Sequence, residues 1–163
     1  MKVLLFVTVL FSGLMAGLFY SYSCSVNIGL RPLPDAAYLK AMQSINRAIQ
    51  NPAFLLPFMG LLVIYPVAVY RLYQLPLDAS FYMLVLAMLL YVIGVFGVTV
   101  CCNVPLNEKL DRFSIDTSLP DEIAAMRTRF EQSWNSYHSI RTYAAICSFA
   151  LSVLVIIKQK MQS

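Results

Sequence analysis

Charged side chains are scarce in this sequence. Only 12% of its 163 residues are Asp, Glu, Lys or Arg, whereas 60% are hydrophobic. A soluble domain carries about 25% charged residues, so the deficit excludes an ordinary soluble protein and indicates a membrane protein. The net charge of +4 is spread along the chain without a basic run. We therefore expect no nucleic acid among its partners.

Histidine is nearly absent, and this excludes several kinds of site. The chain contains one His, His138. One copy of the chain cannot build a multi-histidine metal site or a bis-histidine haem site. No cluster of carboxylates with histidine indicates zinc or non-haem iron. We predict no metal and no cofactor, with haem b held by His138 as a minor alternative.

A C-x-x-C pair is also missing, although the chain has four cysteines. Thiol oxidoreductases that work on quinones from a four-helix bundle generally need such a pair. Cys24 ends the first apolar segment, and Cys101 and Cys102 end the third. A disulfide from Cys24 to either of them is an open question that depends on whether that side is oxidising. Cys147 lies within the fourth apolar segment and is expected to fill the core.

What the sequence does have is four long hydrophobic segments, at about residues 2–23, 54–70, 81–102 and 143–157. A helix needs about 20 apolar residues to span a bilayer. Two segments are long enough, and the other two extend into flanking helix. The first segment is too long for the core of a cleaved signal peptide, and Tyr20 and Tyr22 do not suit a cleavage site. We expect one four-span domain over residues 1–163.

One long loop joins the first span to the second, and another joins the third span to the fourth. Each loop contains helix-forming sequence. Asp35 is a candidate cap for an amphipathic helix that runs to about Gln50. Asn51 then caps the second span. After a polar, irregular segment at 103–118, Pro120 begins a helix without a breaker up to the C-terminus. About 40 residues of helix measure about 60 Å, twice the thickness of the bilayer core, so its first half must project from the membrane.

Four spans place both termini on one side and both long loops on the other. The predicted fold is therefore an all-α integral membrane four-helix bundle with amphipathic helices in the two long loops on one face. We expect it in the bacterial inner membrane. The orientation stays open, because the Lys and Arg count favours loops inside whereas Lys2 before the first span favours loops outside. We lean towards loops outside.

The stretch 131–142 is the strongest candidate for a site. Glu131, Trp134, His138 and Arg141 are three, four and three residues apart, so they share one face of a helix. A histidine with its ordinary pKa of about 6.5 can act as a general base. A guanidinium can stabilise an oxyanion, and an indole offers a flat surface for an aromatic ligand. The alternative is an aromatic and basic belt at the membrane interface.

Three asparagines join this stretch on the loop side: Asn46, Asn103 and Asn107. Asn46 lies next to the apolar stripe of its helix, which is unusual for a helix that only faces lipid. Uncharged amides can orient a hydroxyl or carbonyl group of a ligand. The alternative for each is a role in capping or turn formation.

Three stretches of this sequence together resemble the anthrone oxygenase family of small four-helix membrane proteins. In chain order they are Met42-Gln-Ser-Ile-Asn-Arg-Ala-Ile-Gln-Asn-Pro52, Asn103-Val-Pro-Leu-Asn107 and Trp134-Asn-Ser-Tyr-His-Ser-Ile-Arg-Thr142. The family often has Trp-Asn immediately before the His. Here Ser136-Tyr137 occupies that place, so Tyr137 is a second candidate for the aromatic role.

The resemblance implies oxidation of an anthrone to an anthraquinone by O₂ without an obvious cofactor. His138 would remove a proton from the substrate, and Arg141 with Asn46 or Asn107 would hold the oxyanion. Asn103, Trp134 and Tyr137 complete the expected substrate-binding set. The expected partners are a hydrophobic small molecule and the lipid bilayer, and whether copies of the chain form an oligomer stays open. The alternative function is a non-enzymatic membrane protein that binds haem, quinone or lipid in the bundle.

Overall fold

The computed structural model describes residues 1–161. These residues form five helices joined by short turns, without a strand among them. In chain order the helices are α1 (Lys2–Leu30), α2 (Asp35–Ala48), α3 (Pro52–Tyr73), α4 (Ala79–Asp111) and α5 (Pro120–Met161). All except α2 are long and apolar enough to cross a membrane. This confirms the prediction of an all-helical chain with four helices of membrane-spanning length.

Two of the long helices change their winding along their length. α1 is π-helical over Tyr22–Val26, and α4 is π-helical over Leu90–Gly97 and Thr99–Asn103. A π turn interrupts the α-helical hydrogen-bond ladder and occurs often at functional sites. It also rotates the side chains that follow, relative to a regular α-helix. In α1 the π segment includes Ser23, which contacts α5.

The first part of each predicted loop is helical, so the prediction of an irregular segment from residue 103 was wrong, and the first span also extends further than its apolar segment. α1 continues to Leu30 and α4 continues to Asp111. Gly29 and Pro105, residue types that often end a helix, both fall shortly after a π segment within a continuing helix. α5 starts at Pro120 as predicted and is helical to Met161. The last two residues of the predicted helix lie outside the described part of the chain.

Side-chain caps define the starts of the two middle spans. Asn51 Oδ1 accepts a hydrogen bond from Phe54 N at 3.1 Å, and Pro52 is the first helical residue, as predicted. Asp78 Oδ1 accepts from Ser80 N at 2.9 Å at the start of α4. Such caps contribute about 1 kcal/mol each. The predicted cap at Asp35 was wrong: Pro34 is the N-cap of α2, and the Asp35 carboxylate instead accepts a hydrogen bond from an arginine of α5.

The long helices pack around one apolar core, with α1 against α3 and α5, and α4 against α3 and α5. Buried hydroxyl groups cross this core. Tyr65 Oη lies 2.7 Å from Ser148 Oγ and 3.0 Å from Ser152 Oγ, and Ser148 Oγ donates to Ala87 O at 2.8 Å. These bonds join α3, α4 and α5, and they leave none of the three hydroxyls unpaired in an apolar interior.

A second apolar cluster forms at the end of the bundle that holds the two long loops. α2 packs there against α4 and α5 through Tyr38, Leu39, Met42, Leu110, Ile115, Phe130 and Trp134. Arg127 fixes α2 to α5 by donating to Asp35 Oδ1 at 2.8 Å, and its guanidinium covers the Tyr38 ring at 4.5 Å. Burial, followed by the nearby Glu131 carboxylate, raises the pKa of the Tyr38 hydroxyl, so it stays protonated.

Ion pairs show which turns lie at each end of the bundle. Lys158 Nζ is 3.4 Å from Asp78 Oδ2, which places the C-terminal part of α5 beside the turn between α3 and α4. At the other end Arg47 Nε is 2.6 Å from Asp111 Oδ1. The connections 31–51, which contains α2, and 112–119 therefore meet at one end, as the connectivity predicted. α2 and the C-terminal part of α4 are in position to close that end.

The four cysteines have free thiols. Cys24 is bonded to neither Cys101 nor Cys102 in this structure. The expectation that Cys147 fills the core was wrong, because its side chain is exposed on the outer face of α5. An exposed thiol within a span faces lipid rather than the packed interior.

Candidate functional site

A cavity of about 600 Å³ lies where α2 meets the four long helices. Its walls include the apolar side chains of Leu18, Phe54 and Phe58. Five of the seven predicted site residues line it as well: Asn46, Asn107, Trp134, His138 and Arg141. These five residues come from three helices and are up to 95 positions apart in the chain (141 minus 46). The structure brings them together, whereas Asn103 and Tyr137 are not on the cavity wall.

His138 is held on both sides of its ring. The side chain is 1% exposed. Its Nε2 lies 2.8 Å from Ser23 Oγ and 3.4 Å from Thr142 Oγ1. Its Nδ1 accepts a hydrogen bond from Arg141 Nε at 3.2 Å. The imidazole therefore has a fixed orientation before any ligand enters the cavity.

Aromatic rings form the surroundings of this imidazole. Trp134 stacks on His138 with a centroid distance of 5.0 Å and an interplanar angle of 16°. The centroid of the Tyr22 ring lies 5.3 Å from those of Trp134 and His138. The Phe19 ring is edge-on to His138, with a centroid distance of 6.1 Å. Trp134 Nε1 donates to Asn107 Oδ1 at 2.8 Å. Asn107 thus fixes the plane of the indole, which in turn supports the imidazole.

Arg141 places a positive charge inside this apolar region. Its guanidinium carbon lies 4.8 Å from the Phe19 ring centroid and 4.9 Å from that of Trp134, and the residue is 8% exposed. Among the residues that the structure describes, no carboxylate forms an ion pair with it. Arg127, by contrast, is paired with two carboxylates.

A buried charge without a partner is costly unless a ligand or hydrogen bonds compensate it. Stacking between two aromatic faces offsets part of that cost for Arg141. Its Nε donates to His138, and the terminal nitrogens have no acceptor among the described residues. The guanidinium lines the cavity, so the arrangement favours a ligand that brings an anionic or strongly polarised oxygen.

The three predicted asparagines have three different positions. Asn46 lines the cavity, and its Nδ2 is buried without a hydrogen-bond partner in the described chain. Asn107 lines the cavity and holds Trp134. Asn103 is 0% exposed, and its Nδ2 donates to Trp134 O at 3.3 Å. Asn103 is not on the cavity wall; its Nδ2 supports the α5 backbone, and its Oδ1 is buried without a hydrogen-bond partner in the described chain.

Two other predicted members of the stretch 131–142 point elsewhere. Tyr137 is partly exposed, because each residue along a helix turns by about 100° and this position faces away from His138. Glu131 shares the general face but is hydrogen-bonded to Arg127 Nε at 3.1 Å. The aromatic surface next to the imidazole is thus provided by Trp134, although the family pattern favoured the position of Tyr137.

Sequence reasoning missed the contribution of α1. Phe19, Tyr22 and Ser23 all contact His138 or Arg141, yet α1 appeared only as a membrane span. The available signal was the polar sequence Ser21-Tyr22-Ser23 at the end of an apolar run. Thr142, which belongs to the quoted motif, was given no role; its Oγ1 donates to His138 O at 2.7 Å.

Similarity to known proteins is consistent with this arrangement. The chain matches the family model described as anthrone oxygenase over residues 53–151. Comparisons with curated proteins and with solved structures gave no match. The matched range includes Trp134, His138 and Arg141 but neither Asn46 nor the α1 residues. Because the matched range is more than half of the 163 residues, the chain belongs to the anthrone oxygenase family.

Proposed function

We propose that this protein is a membrane-embedded, cofactor-independent oxygenase that oxidises a polycyclic phenolic substrate of the anthrone type with O₂, in a bacterial inner membrane. One observation carries the proposal: Arg141 is a buried cation without a carboxylate partner in the described chain, beside His138 on the wall of an apolar cavity. The anion of an anthrone has a flat apolar body and one negatively charged oxygen, which are the two features this site would complement.

The cavity supports a ligand of this class by size and by lining. Sites for small molecules generally measure about 300–1,000 Å³ and are mostly apolar with a few polar groups, and this cavity of about 600 Å³ lies within that range. Phe54 and Phe58 would face the ring system, while Arg141 and Asn46 would donate to its oxygen. The amphipathic helix α2 would lie across the loop end of the bundle and close the cavity towards water.

The first chemical step would be removal of a proton from the methylene carbon of the anthrone. That proton is acidic because its loss produces an aromatic phenolate, with the charge on the oxygen. His138 Nδ1 would accept the proton. The guanidinium of Arg141 and Nδ2 of Asn46 would donate to the developing oxyanion, and such donors stabilise a transition state most in a water-poor site.

The second step would use the electrons of this anion to reduce O₂. One electron passes to O₂, the two radicals form a C–O bond, and the peroxide takes up the proton held by His138. Loss of the remaining hydrogen of that carbon as a proton then breaks the O–O bond. One oxygen atom remains as the quinone carbonyl and the other leaves as water. One anthrone and one O₂ therefore give one anthraquinone and one water, without an external reductant.

Arg141 would link substrate binding to the availability of the base. In the ligand-free site its Nε–H occupies the lone pair of His138 Nδ1 at 3.2 Å. An anionic oxygen is a stronger acceptor for a guanidinium than a neutral imidazole. A bound substrate would draw the guanidinium towards its oxygen and leave Nδ1 free to accept the proton.

The test is anthrone oxidation by the purified protein in detergent, measured by O₂ uptake and quinone absorbance above the spontaneous rate. We expect His138→Ala to lower kcat by about 10²- to 10⁴-fold, the range that general bases contribute. Ser139→Ala, an exposed neighbour on the same helix, is the control and should retain activity. If the His138→Ala variant oxidised anthrone as fast as the wild-type protein, His138 would be ruled out as the base.

The apolar cavity also supports a second candidate, a protein that binds a quinone or a lipid without converting it. Haem b is less well supported, because His138 would have to bind iron through a nitrogen and both nitrogens are engaged by Ser23 and Arg141. Purification in detergent separates these candidates. A co-purified quinone or a Soret band would favour the binding protein, whereas turnover of anthrone with O₂ uptake favours the oxygenase.

A further inference from the structure

Ser23 joins α1 to the predicted base, and it lies outside both the sequence motif and the range of the family match. It is partly buried in the π segment Tyr22–Val26. Its Oγ donates to Phe19 O at 3.0 Å and lies 2.8 Å from His138 Nε2. The bond to Phe19 uses the only hydrogen of the hydroxyl. Ser23 is therefore left as an acceptor towards the imidazole.

The remaining contacts of His138 require the same arrangement of protons. Thr142 Oγ1 donates its hydrogen to His138 O at 2.7 Å, so near Nε2 it also offers only a lone pair. On the other side of the ring, Arg141 Nε can only donate, and it points at Nδ1. A neutral imidazole has one N–H and one lone pair. These contacts are all satisfied only when Nε2 carries the proton.

We propose that Ser23 is a positioning residue that holds His138 as the Nε2–H tautomer and so keeps the lone pair on Nδ1, the nitrogen beside Arg141. The tautomer is a property of the ligand-free protein. Only its consequence for the rate rests on the proposed function. When Arg141 turns to a substrate oxygen, Ser23 Oγ at 2.8 Å is the nearest side-chain group that fixes the ring, with Thr142 Oγ1 at 3.4 Å and the backbone of Phe19 beside it.

Ser23 reaches the site from the face of α1 that also carries Phe19, four residues earlier, and Tyr22. Residues three and four apart lie on the same face of a helix. Ser25, two residues further in the same π segment, is exposed and has no hydrogen bond from its side chain in the described structure. It is the matched control for Ser23.

The tautomer can be measured without any substrate. Because His138 is the only His, protein labelled with ¹⁵N-histidine gives imidazole signals from one residue. We expect one protonated nitrogen, assigned to Nε2 by its ring couplings, and one unprotonated nitrogen, Nδ1. Ser25→Ala should give the same spectrum. A proton on Nδ1 of His138 in the wild-type protein would overturn the proposal.

Removal of Arg141 isolates the effect of Ser23, since Arg141 also favours this tautomer. In Arg141→Leu we expect the proton to stay on Nε2. In the double variant Arg141→Leu/Ser23→Ala the two nitrogens should shift towards each other as both tautomers become populated. Ser23→Thr in the same background, which restores a hydroxyl, should return the proton to Nε2. A double variant with the spectrum of Arg141→Leu alone would show that Ser23 does not select the tautomer.

Kinetics supply the second measurement. We expect Ser23→Ala to lower kcat for anthrone about tenfold while KM stays within about twofold, because the base is disordered but the oxyanion donors remain. Ser25→Ala should retain the wild-type kcat. An unchanged kcat in Ser23→Ala would remove the positioning role. If the wild-type protein does not oxidise anthrone, the proposed function fails, and the NMR result alone still decides the role of Ser23 in the tautomer.

Discussion

Arg141 Nε donates to His138 Nδ1 at 3.2 Å, so a buried cation occupies the lone pair of the only imidazole in the chain. A site arranged for ligand-free stability would pair such a guanidinium with a carboxylate, as Arg127 is paired with Asp35. Arg141, by contrast, has no carboxylate partner among the described residues, and its only polar contact there is His138. The cost of this arrangement in the empty protein is consistent with a site that is completed by an anionic ligand.

Replacement of Arg141 by Met should therefore change activity and stability in opposite directions. We expect kcat/KM for anthrone to fall by about 10²- to 10³-fold, the usual effect of losing an oxyanion donor. The ligand-free protein should unfold at the same or a higher temperature, because an apolar side chain replaces an uncompensated buried charge. Thermal unfolding in detergent and steady-state kinetics measure the two effects.

Arg129→Met is the control for this pair of measurements. Arg129 is also on α5 but is exposed and lines a separate groove, so neither kinetics nor unfolding should change appreciably. A large loss of stability in Arg141→Met would contradict the interpretation of Arg141 as an uncompensated charge. A wild-type kcat/KM would contradict its role as an oxyanion donor.

Trp134 should report ligand binding by its fluorescence. It is the only Trp in the chain, it lines the cavity and it stacks on His138. We expect an anthrone added under anaerobic conditions to quench its emission in a saturable way, since O₂ is absent and the ligand is not converted. Linear quenching without saturation, equal to that of free tryptophan, would show that the ligand does not enter this cavity.

The same titration measures the contribution of Asn46. Its Nδ2 is a buried donor without a partner in the described chain, so a ligand oxygen would supply the missing acceptor. We expect Asn46→Leu to weaken binding by about 1–1.5 kcal/mol, or roughly five- to thirteenfold, the value of one hydrogen bond. Gln43→Leu is a useful contrast. Gln43 Nε2 donates to the backbone carbonyls of Leu110 and Phe113, so its loss should lower the stability of the protein more than its affinity for the ligand.

Close packing between α4 and α5 sets a fourth expectation. A Cβ added at Gly94 would lie 2.6 Å from the Cβ of Ala144, which is too close for two carbon atoms. We expect Gly94→Ala to destabilise the bundle by about 1–3 kcal/mol, as overpacking generally does, and to shift α4 relative to the site. Gly17→Ala is the control because nothing lies within 4 Å of its added Cβ. Equal unfolding temperatures for the two variants would contradict this packing.

The parts of the fold that the sequence predicted are those that depend on local composition. Four apolar segments, the Asn51 cap and the unbroken run from Pro120 each follow from short-range chemistry. The winding of α1 does not. Whether a helix adopts a π turn depends on the contacts that its side chains make with other helices, and those contacts are known only after packing. The π winding of α1 was therefore not accessible to the sequence, although the polar sequence Ser21-Tyr22-Ser23 marked the position of Ser23.

The predicted site residues also divide into those that local sequence placed correctly and those whose position depends on more than local sequence. Trp134, His138 and Arg141 share a face by helical spacing alone, so the sequence brought them together correctly. Asn103 was included as an uncharged amide at the loop side and Tyr137 by its position in the family pattern, and neither criterion distinguishes a residue on the cavity wall from one behind it. Asn103 supports the backbone at Trp134, and Tyr137 faces away from the cavity. The placement of Asn103 required the three-dimensional arrangement of α4 against α5, whereas the orientation of Tyr137 follows from helical spacing.

The buried hydroxyl groups of the core allow a last prediction that is independent of function. Tyr65 Oη contacts both Ser148 and Ser152 on α5, and hydrogen bonds between membrane helices contribute about 0.6 kcal/mol on average and up to about 1.7. We expect Tyr65→Phe to lower the free energy of unfolding by an amount in this range, because two serine hydroxyls lose a shared partner. Tyr70→Phe, on the same helix but 62% exposed, should have no measurable effect. Anthrone oxidation by Tyr65→Phe at temperatures well below unfolding should remain at the wild-type rate, since Tyr65 does not line the cavity. A loss of activity without a loss of stability would show that this cluster is coupled to the site.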